Sequence, residues 1–233
     1  MTPFSDTLRV DDMDQLVDVF HNNGAAIIQG DVCPKVLQQL EHELLHGNVD
    51  KKTTMLDGRL RYRAGCAENC EIPWYYSILA SKKLRQALDL LTIHGSGEKS
   101  WKATYCGGDE VAPMTDNMQD LHSDWPEYKT SSMRLGYVLV VSAAPRDVTV
   151  DLAPMRLVPW SRLWRMEEYS KHYLGDESLF ENGYEVTLKA GEFLIRDCRA
   201  AHGGTPNRTA QFRCLPAVQI ASPQMQRMQL SAY

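Results

Sequence analysis

Three side chains in this sequence have the types and the placement that a mononuclear metal centre requires. His122 and Asp124 form an H-x-D triplet at the end of a stretch predicted to be extended, and His202 follows the apolar run EFLIRD at 192–197. Two imidazoles and one carboxylate occupy one face of an ion and leave the opposite face open, the donor set that suits iron(II) binding a chelating cosubstrate and dioxygen together. Arg213 stands eleven residues after His202, near the start of the last predicted strand, where a hairpin connection returns its guanidinium toward the metal. Its rigid fork of donors matches a dicarboxylate: the far carboxylate of 2-oxoglutarate would be held in a bidentate, charge-assisted pair while the keto acid end chelates the ion. With seven histidines and 30 acidic residues, an H-x-D/E triplet arises on the order of once by chance, so the weight rests on its setting. Here each histidine sits where a predicted strand ends, and an arginine follows at the place the cosubstrate needs it.

A second motif competes. His42, Glu43 and His46 spell H-E-x-x-H, the pattern with which zinc metalloproteases place two histidines one helical turn apart and use the glutamate to activate water. The apolar stripe of that helix, Val36, Leu37, Leu40 and Leu44, lies on the opposite side, so both imidazoles are expected to face solvent. Gly47 follows His46 directly, and the next histidine is His94, so the longer form of the motif is missing. The run HGSGEKS at 94–100 lacks an adjacent Gly-Lys and a preceding strand and reads as a surface turn.

The elements that must position these groups divide the chain in two. Residues 11–23 place Met13, Leu16, Val17 and Phe20 at helical spacing with Gly24 as the stop, followed by a short apolar strand at 25–28. A second helix starts after Pro34 and ends at Gly47, and residues 74–93 form a third. Between them, residues 48–73 are polar, and Arg59, Arg61 and Arg63 alternate with Leu60 and Tyr62, which puts three guanidinium groups on one face of an extended segment. That strip either faces an anionic substrate or is a charge-blunted sheet edge. From Trp101 the pattern changes to short apolar runs between turn residues. Strands are predicted near 101–106, 117–123, 134–142, 147–152, 155–158, 184–189, 192–197 and 211–220, with a helical insertion at 160–173. Eight strands in this arrangement make a double-stranded β-helix, or cupin-like jelly roll, so the fold class is mainly β with flanking helices.

Composition bounds the rest. A chain of 233 residues with 43% hydrophobic content is expected to form one domain, 1–233, with a mostly helical support at 1–100 and the jelly-roll core at 101–221. A net charge of −5 supplies no basic field for nucleic acid or anionic membrane. No stretch approaches the length that spans a bilayer and no signal peptide is visible, so the cytoplasm is the default compartment. Six cysteines without a C-x-x-C pair read as reduced thiols. A monomer or homodimer acting on a small molecule is expected.

Longer stretches resemble the phytanoyl-CoA dioxygenase family of iron and 2-oxoglutarate oxygenases. LVDVFHNNGAAIIQGDVCPKVLQQLEHEL is similar to the family's opening helix, strand and second helix; LHSDWP resembles its proximal H-x-D; LAPMRLVPWSR resembles its N-G-x-L-x-x-x-P-G-S-H turn. AGEFLIRDCRAAHGGTPNRTAQFRCLPAVQI is similar to its G-D-x-x-x-F…H-G-S-x-x-N-x-S…R block. The resemblance implies iron(II) on His122, Asp124 and His202, 2-oxoglutarate on Arg213, and dioxygen as the oxidant. It implies oxidation, most simply hydroxylation, of a small organic substrate with release of succinate and carbon dioxide. A jelly-roll binding protein without catalysis is the alternative from another class. Gly204 replaces a serine that helps hold the cosubstrate in the family, which points to Thr205 or Thr209 as the hydroxyl beside Arg213. Trp160 and Arg162 replace the glycine and histidine of the P-G-S-H turn. Related halogenases replace the carboxylate ligand with a small residue, so the intact Asp124 favours hydroxylation or another oxidation. Trp125 and Tyr105, with Arg59, Arg61 and Arg63, are the candidates for substrate contact.

Overall fold

The computed structural model describes residues 4–47, 52–54, 60–65, 75–96, 101–124, 138–163 and 183–222, with the backbone alone at 52–54, 60–65 and 94–96. The helices are α1 (Phe4–Leu8), α2 (Leu16–Asn23), α3 (Pro34–His46), α4 (Tyr75–Leu79) and α5 (Lys82–Ser96). The strands are β1 (Arg9–Val10), β2 (Ala25–Gln29), β3 (Lys52–Thr54), β4 (Leu60–Gly65), β5 (Lys102–Val111), β6 (Val138–Ala143), β7 (Met155–Leu157), β8 (Tyr184–Val186), β9 (Glu192–Asp197), β10 (His202–Gly204) and β11 (Arg213–Ala221). They form an eight-stranded sheet in the order β1-β2-β9-β6-β11-β5-β4-β3 and a three-stranded sheet in the order β10-β7-β8. These are the two unequal layers of a jelly roll.

Each face of the large sheet has its own core. Phe193 and Ile195 of β9 join Leu139, Val141, Val218 and Ile220 against Leu16, Phe20, Leu37, Leu40 and Leu44 of α2 and α3. Leu194 of β9 turns the other way, with Ile27 and Leu215, toward Leu157 and Val186 of the small sheet. All six residues of β9 are buried, the charged Glu192, Arg196 and Asp197 included, because the strand is covered on both faces.

The helix boundaries follow local chemistry. The α2 helix stops at Gly24, whose φ of 74° is the left-handed conformation glycine adopts without cost. Pro34 opens α3, where its missing N–H is not needed. The single helix expected over 74–93 is two, α4 and α5, because the Ser81 hydroxyl accepts from Leu84 N at 3.1 Å and so caps a new start.

The strands depart from expectation in three places. The Arg-rich stretch holds a strand, β4, hydrogen-bonded to β5, and β1 to β4 give the first hundred residues half of the large sheet, so the sheet is not confined to 101–221. β5 runs to Val111 through Gly107 and Gly108 instead of turning there, because a Cβ at Gly108 would stand 2.4 Å from the Leu215 carbonyl oxygen. The glycines serve close approach of β11. Residues 117–123 and 147–152 are not strands but extended or turning segments tied by isolated bridges, His122 to His202, Val148 to Leu188 and Leu152 to Asn207. Of the helical insertion expected at 160–173, Ser161–Leu163 is a 3-10 turn and residues from 164 onward lie outside the described residues.

Candidate metal centre

His122 and His202 face each other across a two-bond antiparallel bridge, each backbone N donating to the other's carbonyl at 2.9 Å. The H-S-D segment is fastened a second time at the end of β9, where Asp124 N donates to Cys198 O at 3.0 Å and Ser123 Oγ to the same oxygen at 3.1 Å. These two ties bring the imidazole centroids to 4.4 Å and one donor atom from each of His122, Asp124 and His202 within 4.8 Å of one another. His122 Nε2 lies 3.8 Å from Asp124 Oδ1, and His202 Nε2 lies 3.7 Å from Asp124 Oδ2.

The same local device orients both rings. Nδ1 of His122 is 2.9 Å from the carbonyl oxygen of Asp120, and Nδ1 of His202 is 2.9 Å from that of Ala200. A carbonyl only accepts, so each Nδ1 carries the proton and each Nε2 presents a lone pair toward Asp124. Arg196 Nη1 also stands 3.1 Å from His202 Nδ1, but that pairing sets donor against donor once the ring proton is on Ala200; the bond the guanidinium makes here is Nη2 to Asp124 Oδ2, at 2.8 Å.

Electrostatics keep two of the donors, Asp124 and His202, deprotonated. Burial works against a charged Asp124, yet the Arg196 guanidinium beside it outweighs burial and holds the carboxyl well below the usual carboxylate range. Burial pushes the His202 pKa well below that of an ordinary histidine, and Arg196 pushes it further. A carboxylate and two neutral imidazoles converging from one side fit a divalent ion of the iron class, which they would hold while leaving its other face to the cavity.

That cavity measures about 390 Å³ and is lined by all three ligands together with Arg196 and Arg213. Arg213 is buried at the start of β11, and its Nη1 donates to Asp109 O at 3.4 Å. The floor is a single register row across four strands: Arg196 of β9 pairs with Val140 of β6, Val140 with Gln219 of β11, and Gln219 with Tyr105 of β5. All four side chains line the cavity. Tyr105 is thus placed with the ligands. Thr205 and Thr209 are not: the Thr205 hydroxyl donates to Pro154 O at 2.7 Å and the Thr209 hydroxyl to Asn207 Oδ1 at 2.8 Å, and neither lines the cavity. Trp125 and Arg59 lie outside the described residues. Arg61 and Arg63 are described by backbone only, paired with Asp109 and Gly107 of β5. His42 and His46 are exposed with ring centroids 4.9 Å apart, on the solvent side of α3 as their helical phase requires.

Three contributors escaped the sequence reading. Arg196 sits inside an apolar run, and only the strand register aims it at Asp124. Asn207 is fully buried and binds the loop between β10 and β11. Ser161, at the P-W-S-R turn, accepts from Ala201 N at 2.7 Å, next to His202. In that turn Trp160 has a φ of 64°, a left-handed conformation that glycine adopts without cost.

The model of the phytanoyl-CoA dioxygenase (PhyH) family matches residues 107–214. No curated protein matches the sequence. Among solved structures, AviO1 from Streptomyces viridochromogenes Tue57 is similar with a TM-score of 0.66 at 17% identity, over 92% of this chain and 96% of that one. SnoN, described as a non-haem α-ketoglutarate-dependent epimerase of nogalamycin biosynthesis, reaches 0.70 at 14% identity over 90% of this chain and 80% of its own. SnoK, a carbocyclase of the same description and biosynthesis, reaches 0.70 at 16% over 94% and 90%. The chain therefore has the jelly-roll fold of these proteins, and the stretch that carries His122, Asp124, His202 and Arg213 is the one that matches the phytanoyl-CoA dioxygenase family model.

Proposed function

We propose that the protein is an iron(II)- and 2-oxoglutarate-dependent oxygenase of the cytoplasm that oxidises a small organic molecule. The observation that carries this reading is the pair of Nδ1-to-carbonyl bonds, which turn two Nε2 lone pairs onto one carboxylate at the mouth of a cavity containing a buried arginine. His122, Asp124 and His202 would hold the iron, and Arg213 would neutralise the far carboxylate of 2-oxoglutarate. When bound, iron and 2-oxoglutarate supply the oxidation: one dioxygen atom goes to the substrate, the other to succinate, and carbon dioxide leaves.

The chain's own residues bind, orient and exclude water. The carbonyls of Asp120 and Ala200 hold the ring protons on Nδ1 and leave each Nε2 free to donate its lone pair. Val140, Leu215 and Ala217 give the cavity apolar lining, while Tyr105 and Gln219 offer hydrogen bonds within it. Hydroxylation is the outcome we assign, since the intact Asp124 occupies the position that a halide would otherwise take.

The test is anaerobic titration with iron(II) and then 2-oxoglutarate, followed by the visible charge-transfer band of the chelate. Wild-type protein develops the band, His122→Ala abolishes it, and Arg213→Ala weakens cosubstrate binding while sparing the metal. A wild-type protein that binds neither would leave the alternative, a jelly roll that binds without catalysing.

A further inference from the structure

Arg196 has so far served only to hold Asp124 in its charged form, and its position is hard to account for by folding alone. β9 is an apolar strand whose inward positions are Leu194 and Arg196, and a hydrocarbon side chain at 196 would pack beside Val140 without leaving a polar atom in need of a partner. Instead a buried guanidinium stands there, with its Nε lacking a hydrogen-bond partner among the described residues and its Nη2 2.8 Å from Asp124 Oδ2. Buried polar atoms without partners are few in folded proteins and mark places where something other than stability is served.

Asp124 has two oxygens that differ in surroundings. Oδ2 lies 3.7 Å from His202 Nε2 and already accepts from the guanidinium, whereas Oδ1 lies 3.8 Å from His122 Nε2 and, among the described residues, has no cation upon it. A carboxylate with both oxygens free chelates a divalent ion and takes two coordination positions; one with an oxygen in a charge-assisted bond gives up only one. A centre that must receive a chelating cosubstrate and dioxygen together needs three positions open. We infer that Arg196 is a positioning residue of this centre: by holding Asp124 Oδ2 it makes the carboxylate a one-oxygen ligand through Oδ1 and keeps a coordination position open for the cosubstrate. This rests on the reading of the site as an iron and 2-oxoglutarate centre. It assigns to Arg196 a role distinct from that of Arg213, which grips the far end of the cosubstrate.

A cation beside the ion also opposes metal binding by simple repulsion, so the inference makes a split prediction that general damage does not. Iron(II) affinity is measured by anaerobic calorimetry, and 2-oxoglutarate affinity by the charge-transfer band at saturating iron. Cobalt(II) replaces iron in a parallel sample to read coordination number from the intensity of its visible bands. Arg196→Met is expected to bind iron(II) at least as tightly as wild type, to bind 2-oxoglutarate about tenfold or more weakly, and to show an altered cobalt spectrum before any cosubstrate is added. Arg196→Gln, polar but too short to span to Asp124, gives the same split and carries the test if the methionine variant does not fold. Arg196→Lys, which restores one charged donor, returns 2-oxoglutarate affinity to within about threefold of wild type, well inside the loss expected for a missing outer partner. Parallel losses of metal and cosubstrate affinity, or an unchanged 2-oxoglutarate affinity, would overturn the role of Arg196. Failure of the wild-type protein to bind iron overturns the reading of the site itself, and this inference with it.

Discussion

Replacing Asn207 by aspartate changes one atom's chemistry and almost nothing in shape, and the structure says that change is severe. The Asn207 side chain is fully buried between β10 and β11. Its Nδ2 donates to Gln211 O at 2.7 Å and Ala112 O at 3.0 Å, with Val111 O at 3.4 Å, and its Oδ1 accepts from Thr209 N at 3.1 Å and Thr209 Oγ1 at 2.8 Å. In Asn207→Asp an acceptor replaces the donor and confronts those carbonyls, so two buried hydrogen bonds become two unpaired acceptors at about 1–3 kcal/mol each. We take about 4 kcal/mol, which at about 2–4 °C per kcal/mol for a chain of this size is a fall in Tm of about 8–16 °C. Asn207→Ala loses the same partners but leaves space that water can enter, so about 2–3 kcal/mol is expected. Thermal melts followed by circular dichroism should therefore rank wild type above Asn207→Ala and Asn207→Asp last at pH 8. The introduced carboxyl can regain a donor by taking up a proton, so its folded pKa is raised and the Asp variant recovers toward the Ala variant at pH 5. An Asp variant that melts within about 3 °C of wild type at pH 8, or that is hurt more at pH 5 than at pH 8, would refute the reasoning. The same loop leads into Arg213, and Thr115 N and Met114 N hydrogen-bond back to Asn207 O and Thr209 O. The surviving folded protein should thus also bind 2-oxoglutarate less tightly.

Other expectations follow from single contacts. A Cβ at Gly203 would stand 2.7 Å from the Gln119 backbone oxygen, so Gly203→Ala pushes the His122 segment away from β10 and weakens iron(II) binding about tenfold with every donor intact, as calorimetry would show. The depressed pKa of His202 has a definite sign. Between its folded value and the ordinary 6.5 the unfolded chain holds a proton the folded chain does not, so metal-free stability drops as pH is lowered below about 6.5, by at most about 1.4 kcal/mol per pH unit. Urea unfolding at pH 7.5, 6.5 and 5.5 reads this slope, and His202→Gln should flatten it. Trp160 is 53% exposed at a φ of 64°, so Trp160→Gly relieves left-handed strain at little packing cost and raises Tm by about 1–3 °C.

How far the site was legible depends on whether a residue acts through its type or through its register. His122, Asp124 and His202 were readable because few side chains bind metal and their spacing is that of a known donor pattern; Arg213 was readable because it follows His202 closely, although the link between them is not the expected hairpin but a crossing from the small sheet, β10, to the large one, β11. β9 was found in full, since six buried residues leave an uninterrupted apolar signal apart from its charged ends. The length of β5 was hidden by Gly107 and Gly108, which mark a turn in most sequences and here mark the close crossing of Pro216. Thr205 and Thr209 were plausible by proximity to Arg213, but the direction of a hydroxyl depends on the carbonyl it meets, and Pro154 lies 51 residues away. Arg196 was invisible for a similar reason: β9 must be set beside β6 and the H-S-D segment before anything distinguishes it from a surface arginine.

The carbonyls of Asp120 and Ala200 aim the two imidazoles from within the chain, so the shape of the ligand set owes nothing to which ion arrives. Nickel, copper and zinc form stronger complexes than ferrous iron with such nitrogen and oxygen donors. What fills the centre is consequently decided by supply: protein drawn over a nickel resin or grown on zinc-rich medium will carry a redox-silent occupant, and its idleness would testify to its history, not to its chemistry.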